Sequence, residues 1–112
     1  MANEFRSFSE FWPYYVCEHS KPLTRKLHFL GTFSIIPLII IAIILNLYYL
    51  ILIPVIAYGF AWTGHLFIEK NKPATFKYPL WSLAGDFKMF YIMCIGKMDD
   101  EVMRCRGLIK NR

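Results

Sequence analysis

No Asp, Glu, Lys or Arg occurs between Lys26 and Glu69, an interval filled mostly by aliphatic and aromatic residues. A bilayer's hydrocarbon core, about 30 Å thick, takes roughly 20 helical residues to cross. The run is too long for one span and about right for two. Asn46, the strongly polar side chain near its middle, is the expected bend. His28 precedes Asn46 by 18 residues and His65 follows it by 19, so folding there returns both imidazoles to one depth. Pro37 and Pro54 repeat the symmetry, nine residues before the bend and eight after it. The expected fold is an all-α membrane protein: a transmembrane helical hairpin, with spans over about 27–45 and 47–68, plus flanking interfacial or re-entrant helices.

A length of 112 residues is that of one domain, and a soluble core of this size does not normally need such a run. The 56% hydrophobic content and positive mean hydropathy agree with a small polytopic membrane protein. Glu4, Arg6 and Glu10 interrupt any apolar stretch a signal peptide would need. Cys17, Cys94 and Cys105 are odd in number and unpaired in spacing, which indicates neither a disulfide framework nor a CxxC metal site. Part of the net charge of +5 flanks the apolar run, with Arg6, Lys21, Arg25 and Lys26 before it and Lys70, Lys72 and Lys77 after it. By the positive-inside rule both hairpin ends face the cytoplasm, in a bacterial inner membrane or an endoplasmic reticulum membrane. These cations border a lipid-buried run and form no soluble patch, so the partner is membrane lipid and not nucleic acid.

Phe8, Phe11, Trp12, Tyr15 and Val16 recur at helical spacing between Ser7 and Glu18, which reads as an interfacial helix capped by Ser7 or Ser9 and started or bent at Pro13. A loop bounded by Pro73 and Pro79 follows the second span. Leu80 to Ile95 is a further helix, and Asp86 and Lys88 within it argue against plain lipid exposure. The tail from Lys97 is of mixed charge, expected in water and partly helical over Glu101 to Arg106.

All three histidines, His19, His28 and His65, fall near one expected interface. Three imidazoles with nearby carboxylates suffice to ligate Fe2+ or Zn2+ and leave positions for water, oxygen or substrate. The plainer alternative is that each histidine packs at the interface. Glu69 follows His65 by four residues, placing both on one helix face, where the carboxylate would ligate or orient the ring. Gly31, Gly59 and Gly64 read as points of close helix approach, and Tyr48, Tyr49, Tyr58 and Trp62 as anchors and packing. No GxSxG, P-loop or GxGxxG motif occurs.

Several strings resemble one family: Phe11-Trp12-Pro13-Tyr14-Tyr15, Glu18-His19-Ser20-Lys21-Pro22, Arg25-Lys26-Leu27-His28-Phe29-Leu30-Gly31-Thr32, Gly64-His65 with Glu69-Lys70-Asn71-Lys72-Pro73-Ala74-Thr75, and Pro79-Leu80-Trp81-Ser82 through Gly85-Asp86. Together they are similar to the Mpo-like family of small membrane proteins, which includes a yeast 2-hydroxy fatty acid dioxygenase. The likeness runs from about Phe8 to Gly96. It implies iron(II)-dependent α-oxidation, in which a long-chain 2-hydroxy fatty acid and O2 give a fatty acid one carbon shorter. It maps the family's histidines to His19, His28 and His65, and it leaves Glu69, Asn71 and Asp86 as candidate catalytic side chains. Arg25, Lys70 and Lys72 are the expected attraction for the carboxylate head, with the acyl chain along the hairpin's apolar surface.

The alternatives are a small membrane scaffold that needs no metal, a metal-ion carrier, and another oxygen-dependent lipid enzyme. A carrier would need ligands at several depths, and the interval between Ser34 and Tyr58 offers few. Three histidines are too few for the histidine-rich di-iron sites of membrane hydroxylases and desaturases. Oligomeric state is open.

Overall fold

The computed structural model describes residues 5–110, and every regular element among them is helical. α1 (Phe8–Cys17) begins at Ser7, whose Oγ accepts the Glu10 amide at 3.3 Å while the Glu10 carboxylate accepts the Arg6 amide at 3.1 Å. The first bond satisfies an amide that the first turn leaves free, and the second ties the residue before the cap to the helix. The helix continues through Pro13 to Cys17. Phe11, Trp12, Tyr15 and Val16 are buried with Met89 of α5 (Pro79–Cys94) and with Met98, Val102 and Cys105 of α6 (Met98–Lys110). The aromatic face of α1 is therefore covered by protein, and α1 is a core helix where an interfacial one was expected. The cover comes from the tail, whose helix is longer than expected and presents those three residues on one face. Trp12 Nε1 donates to Glu101 at 2.6 Å, and Lys88 Nζ lies 4.4 Å from the centre of the Trp12 ring.

The uncharged run folds as α2 (Pro22–Phe33) and α3 (Ile35–Ile44), then a 3-10 turn over Leu47–Ile51, α4 (Leu52–Thr63) and a π-helical turn over Gly64–Glu69. Joined end to end, Pro22–Ile44 and Leu47–Glu69 are each 23 residues, long and apolar enough to cross a membrane. Only 22% and 17% of their most apolar windows is buried, so most of the aliphatic surface faces outward. Two of the interruptions have a common cause. Proline lacks an N–H and clashes with the carbonyl four residues back, which for Pro37 is Phe33, where α2 ends, and for Pro54 is Leu50, in the 3-10 turn. The bend is at Asn46, whose side chain accepts the Tyr48 amide at 2.8 Å and caps the second segment.

Gly31 lies against Ala57, and a Cβ there would sit 2.8 Å from the Ala57 carbonyl oxygen. Gly64 lies against Thr24, with a Cβ position 3.0 Å from Thr Cγ2. The two segments thus run antiparallel in close contact, as small residues permit. A Cβ at Gly59 would meet nothing within 4 Å, so this glycine plays no such part. α5 has 16 residues and rises about 24 Å, short of a full crossing. It packs beside α1 and α2, with Phe90 stacked on Phe29 and Gly85 beneath the Tyr15 ring.

Candidate metal centre

Four separate pieces of chain build the centre. His19 follows the end of α1, with its amide bonded to the Val16 carbonyl at 3.0 Å. His28 lies on α2 and His65 on the π turn. Asn71 follows Lys70, which takes a positive φ of 61° and turns the chain back. The Asn71 amide then reaches the His65 carbonyl at 2.9 Å. The imidazoles converge, with ring centres 4.3 Å apart for His19 and His28, 4.4 Å for His19 and His65, and 5.0 Å for His28 and His65. All three are buried, and one ligand atom from each lies within 4.8 Å of the others.

The hydrogen bonds behind the rings set which nitrogen faces the centre. His19 Nδ1 is 2.6 Å from the Tyr15 carbonyl and His28 Nδ1 is 3.2 Å from the Thr24 carbonyl. Carbonyls only accept, so both Nδ1 atoms carry the proton. His65 Nδ1 is 2.7 Å from Asn71 Oδ1, and the Asn71 amide nitrogen donates to the Glu18 carbonyl at 3.1 Å. That second bond orients the amide, so His65 Nδ1 donates too. Each ring therefore turns an Nε2 lone pair inward, and His19 Nε2 and His28 Nε2 stand 3.0 Å apart. Burial, then the neighbouring His28 and His65, hold His19 well below the ordinary imidazole range, so a proton is a poor bridge between the lone pairs. A metal cation answers the arrangement: three neutral nitrogen donors, each backed by an acceptor that fixes its tautomer.

Glu69 is not the residue that orients His65. The π turn spaces the chain differently from an α-helix, and Glu69 instead accepts Ser20 Oγ at 2.9 Å and the Lys21 amide at 2.6 Å. It thereby caps the entry to α2, and its charge suits that helix end. Arg25, its side chain buried, donates to the His19 and Ser20 carbonyls at 2.9 and 2.8 Å and pairs with Asp99 at 3.1 Å. It clamps the connection that carries His19. Asp86 accepts a hydrogen bond from the Tyr15 hydroxyl, and burial raises its carboxyl to about 7. Tyr15, pushed well above the ordinary phenol range by burial and by Asp86, remains the donor.

The histidines, Tyr15 and Asp86 line a small cavity of about 10 Å³, together with Tyr58, Trp62 and Ser82. His28, Tyr58, Ala61 and Asp86 are also walls of an adjoining crevice of about 130 Å³, which continues between Thr32 and Ile35 on one side and Ile53, Pro54 and Ala57 on the other. Leu83 and Phe87 of α5 close it in part, and both remain half exposed. Arg25, Lys70 and Lys72 line neither space. Trp62 and Tyr58 read in sequence as packing, and Ser82 stands in one of the strings that carry the family resemblance without a role of its own. For Tyr58 and Trp62 the available signal was the α-helical spacing that puts them on a face shared with His65.

A family model described as 2-hydroxy-palmitic acid dioxygenase Mpo1-like matches residues 5–98. The chain belongs to this family. The Mpo1-like match takes in all three histidines, Asn71 and Asp86, and reaches the first residue of α6. No curated protein and no solved structure matches the chain.

Proposed function

We propose that this Mpo1-like chain is a membrane-embedded, iron(II)-dependent dioxygenase that shortens long-chain 2-hydroxy fatty acids by one carbon. The observation that carries the reading is the set of three inward Nε2 lone pairs beside an apolar crevice between two lipid-length helices. The family description supplies the substrate class. The balanced reaction is R–CH(OH)–COOH + O2 → R–COOH + CO2 + H2O. The bond between C1 and C2 breaks, and all four electrons that reduce O2 come from the substrate. No organic co-reductant is needed.

His19, His28 and His65 would hold the ion. Ferrous iron supplies the one-electron chemistry through which ground-state O2 reacts with a closed-shell acid. Tyr15 holds Asp86 in place by donating to its Oδ1, and the other carboxylate oxygen is the base that takes the 2-hydroxyl proton. Asn71 fixes the His65 ring. The crevice holds the acyl chain, and its apolar walls keep water from the reacting end. Glu69 and Arg25 act at one remove by fixing the connection between α1 and α2.

The whole chain forms one domain, with Pro22–Ile44 and Leu47–Glu69 crossing the bilayer and their basic flanks in the cytoplasm. Protease reaching both flanks only from the cytoplasmic side of oriented vesicles is the expected result, and cleavage from the opposite side would reject this topology. The activity is tested by anaerobic reconstitution with Fe2+ in detergent, followed by 2-hydroxyhexadecanoic acid in oxygenated buffer. Pentadecanoic acid forming in step with O2 uptake, one for one, is expected. Metal-free protein with no uptake would leave a lipid scaffold as the better account.

A further inference from the structure

Two donors in the wall of the histidine cavity have no partner among the described residues. Trp62 Nε1 and Ser82 Oγ are buried and make no hydrogen bond, and Ser82 as a whole is 2% exposed. Buried polar atoms are paired in the great majority of cases, so each exception calls for an explanation. Thr24 Oγ1 is also unpaired, but it lies outside the cavity wall, beside Gly64. Trp62 and Ser82 share one cavity, and they share it with the three histidines.

The chemistry of the pair narrows the ligand. An indole N–H only donates, so whatever satisfies Trp62 is an acceptor. A space of about 10 Å³ admits a single water-sized group. The walls that this space shares with the crevice, Tyr58 and Ala61 among them, mark where such a group connects to something longer. The cations expected to attract an acid, Arg25, Lys70 and Lys72, are absent from both walls. Neutral donors remain, and away from water a hydrogen bond to an ionised acceptor is stronger than one to a neutral acceptor.

We propose that Trp62 and Ser82 bind the carboxylate of the fatty-acid substrate, donating to the oxygen that enters the histidine cavity while the acyl chain follows the crevice. This assignment rests on reading the cavity as a 2-hydroxy acid site. It makes the two residues the determinants of acid over alcohol, by hydrogen bonds in place of ion pairs. A site built to hydrogen-bond a group discriminates strongly against an analogue without it, because its own donors are then left unpaired.

The test reads binding, not turnover. Zinc-loaded protein in detergent is titrated with 2-hydroxyhexadecanoate and with hexadecan-2-ol, which keeps the chain length and the 2-hydroxyl and carries a methyl group where the acid has its carboxylate. Wild type is compared with Trp62→Phe and Ser82→Ala, two variants in different helices, so that a folding failure in one leaves the other. Each variant is expected to lose about tenfold in affinity for the acid and none for the alcohol, with zinc content unchanged. Ligand-free Ser82→Ala is also expected to melt no lower than wild type, since it sheds an unpaired hydroxyl. Wild-type affinity for the acid in both variants would show that a trapped water satisfies the donors, overturning the assignment while the dioxygenase reading stands. Wild-type protein that binds neither compound would overturn both.

Discussion

His19→Ala, His28→Ala and His65→Ala each lose bound metal, and Asn71→Leu keeps it with weaker affinity. This grading is expected because the three rings supply the donors and Asn71 only aims one of them. Four-ligand zinc sites bind with about 10–16 kcal/mol, which spreads to roughly 3 kcal/mol per ligand, or more than 100-fold in affinity for each imidazole removed. Loss of an orienting partner behind a ligand costs about 10- to 100-fold. Metal per chain after desalting, with chelator competition for the tighter forms, separates the two classes. The difference also appears in melting curves, because a metal present at 1,000 times its Kd stabilises the folded state by about 4 kcal/mol. The histidine variants should show no metal-dependent rise. Equal metal in His19→Ala and wild type would remove the three-histidine site, and far-UV circular dichroism checks that the variants remain helical.

Asp86→Asn should be more stable than wild type in alkaline solution and nearly inactive. The carboxyl of Asp86 is raised by burial from 3.8 to about 7, against the lowering effect of the Tyr15 hydrogen bond. Between those values the folded chain holds a proton that the unfolded chain has released, so Asp86 makes stability fall as pH rises from about 4 to about 7. Above pH 7 the penalty is complete, about 4 kcal/mol at 1.36 kcal/mol per unit. Asparagine keeps an oxygen for Tyr15 and carries no charge, so the metal-free variant should match wild type near pH 4 and exceed it by about 2–4 kcal/mol at pH 8. Other titrating groups cancel in the difference. The same substitution removes the base, and turnover should fall by about 100- to 10,000-fold. Parallel stability curves for the two proteins would mean that Asp86 is ionised in the fold at neutral pH. Undiminished turnover would take the proton-accepting role away from it.

Much of this was legible before any coordinates. The uncharged run, the polar bend at Asn46, the Ser7 cap and the nearly equal distances of His28 and His65 from the bend follow from period, capping chemistry and rise per residue. The misread parts share a physical reason, which is that one residue type serves two environments. Aromatic density in α1 suits a bilayer surface and a protein core alike, and only the docking of α6 decides between them. A basic residue beside a span suits topology, so the burial of Arg25 against the His19 and Ser20 carbonyls was invisible. The π turn has no local signature, and the expected Glu69–His65 contact failed with the α-helical spacing it assumed. Trp62 and Ser82 stand on helices whose facing depends on that turn and on the seat of Gly85 under Tyr15.

The half-exposed Leu83 and Phe87 leave the crevice open along its side, on the outward apolar surface of the bundle. A fatty acid already dissolved in a bilayer would reach the histidines by sideways diffusion, without first passing through water. What it meets is then a concentration per unit of membrane area. Adding lipid to an assay at fixed total substrate should slow the reaction as denaturation would, although no protein is lost, and apparent constants for such a site are properly stated as mole fractions.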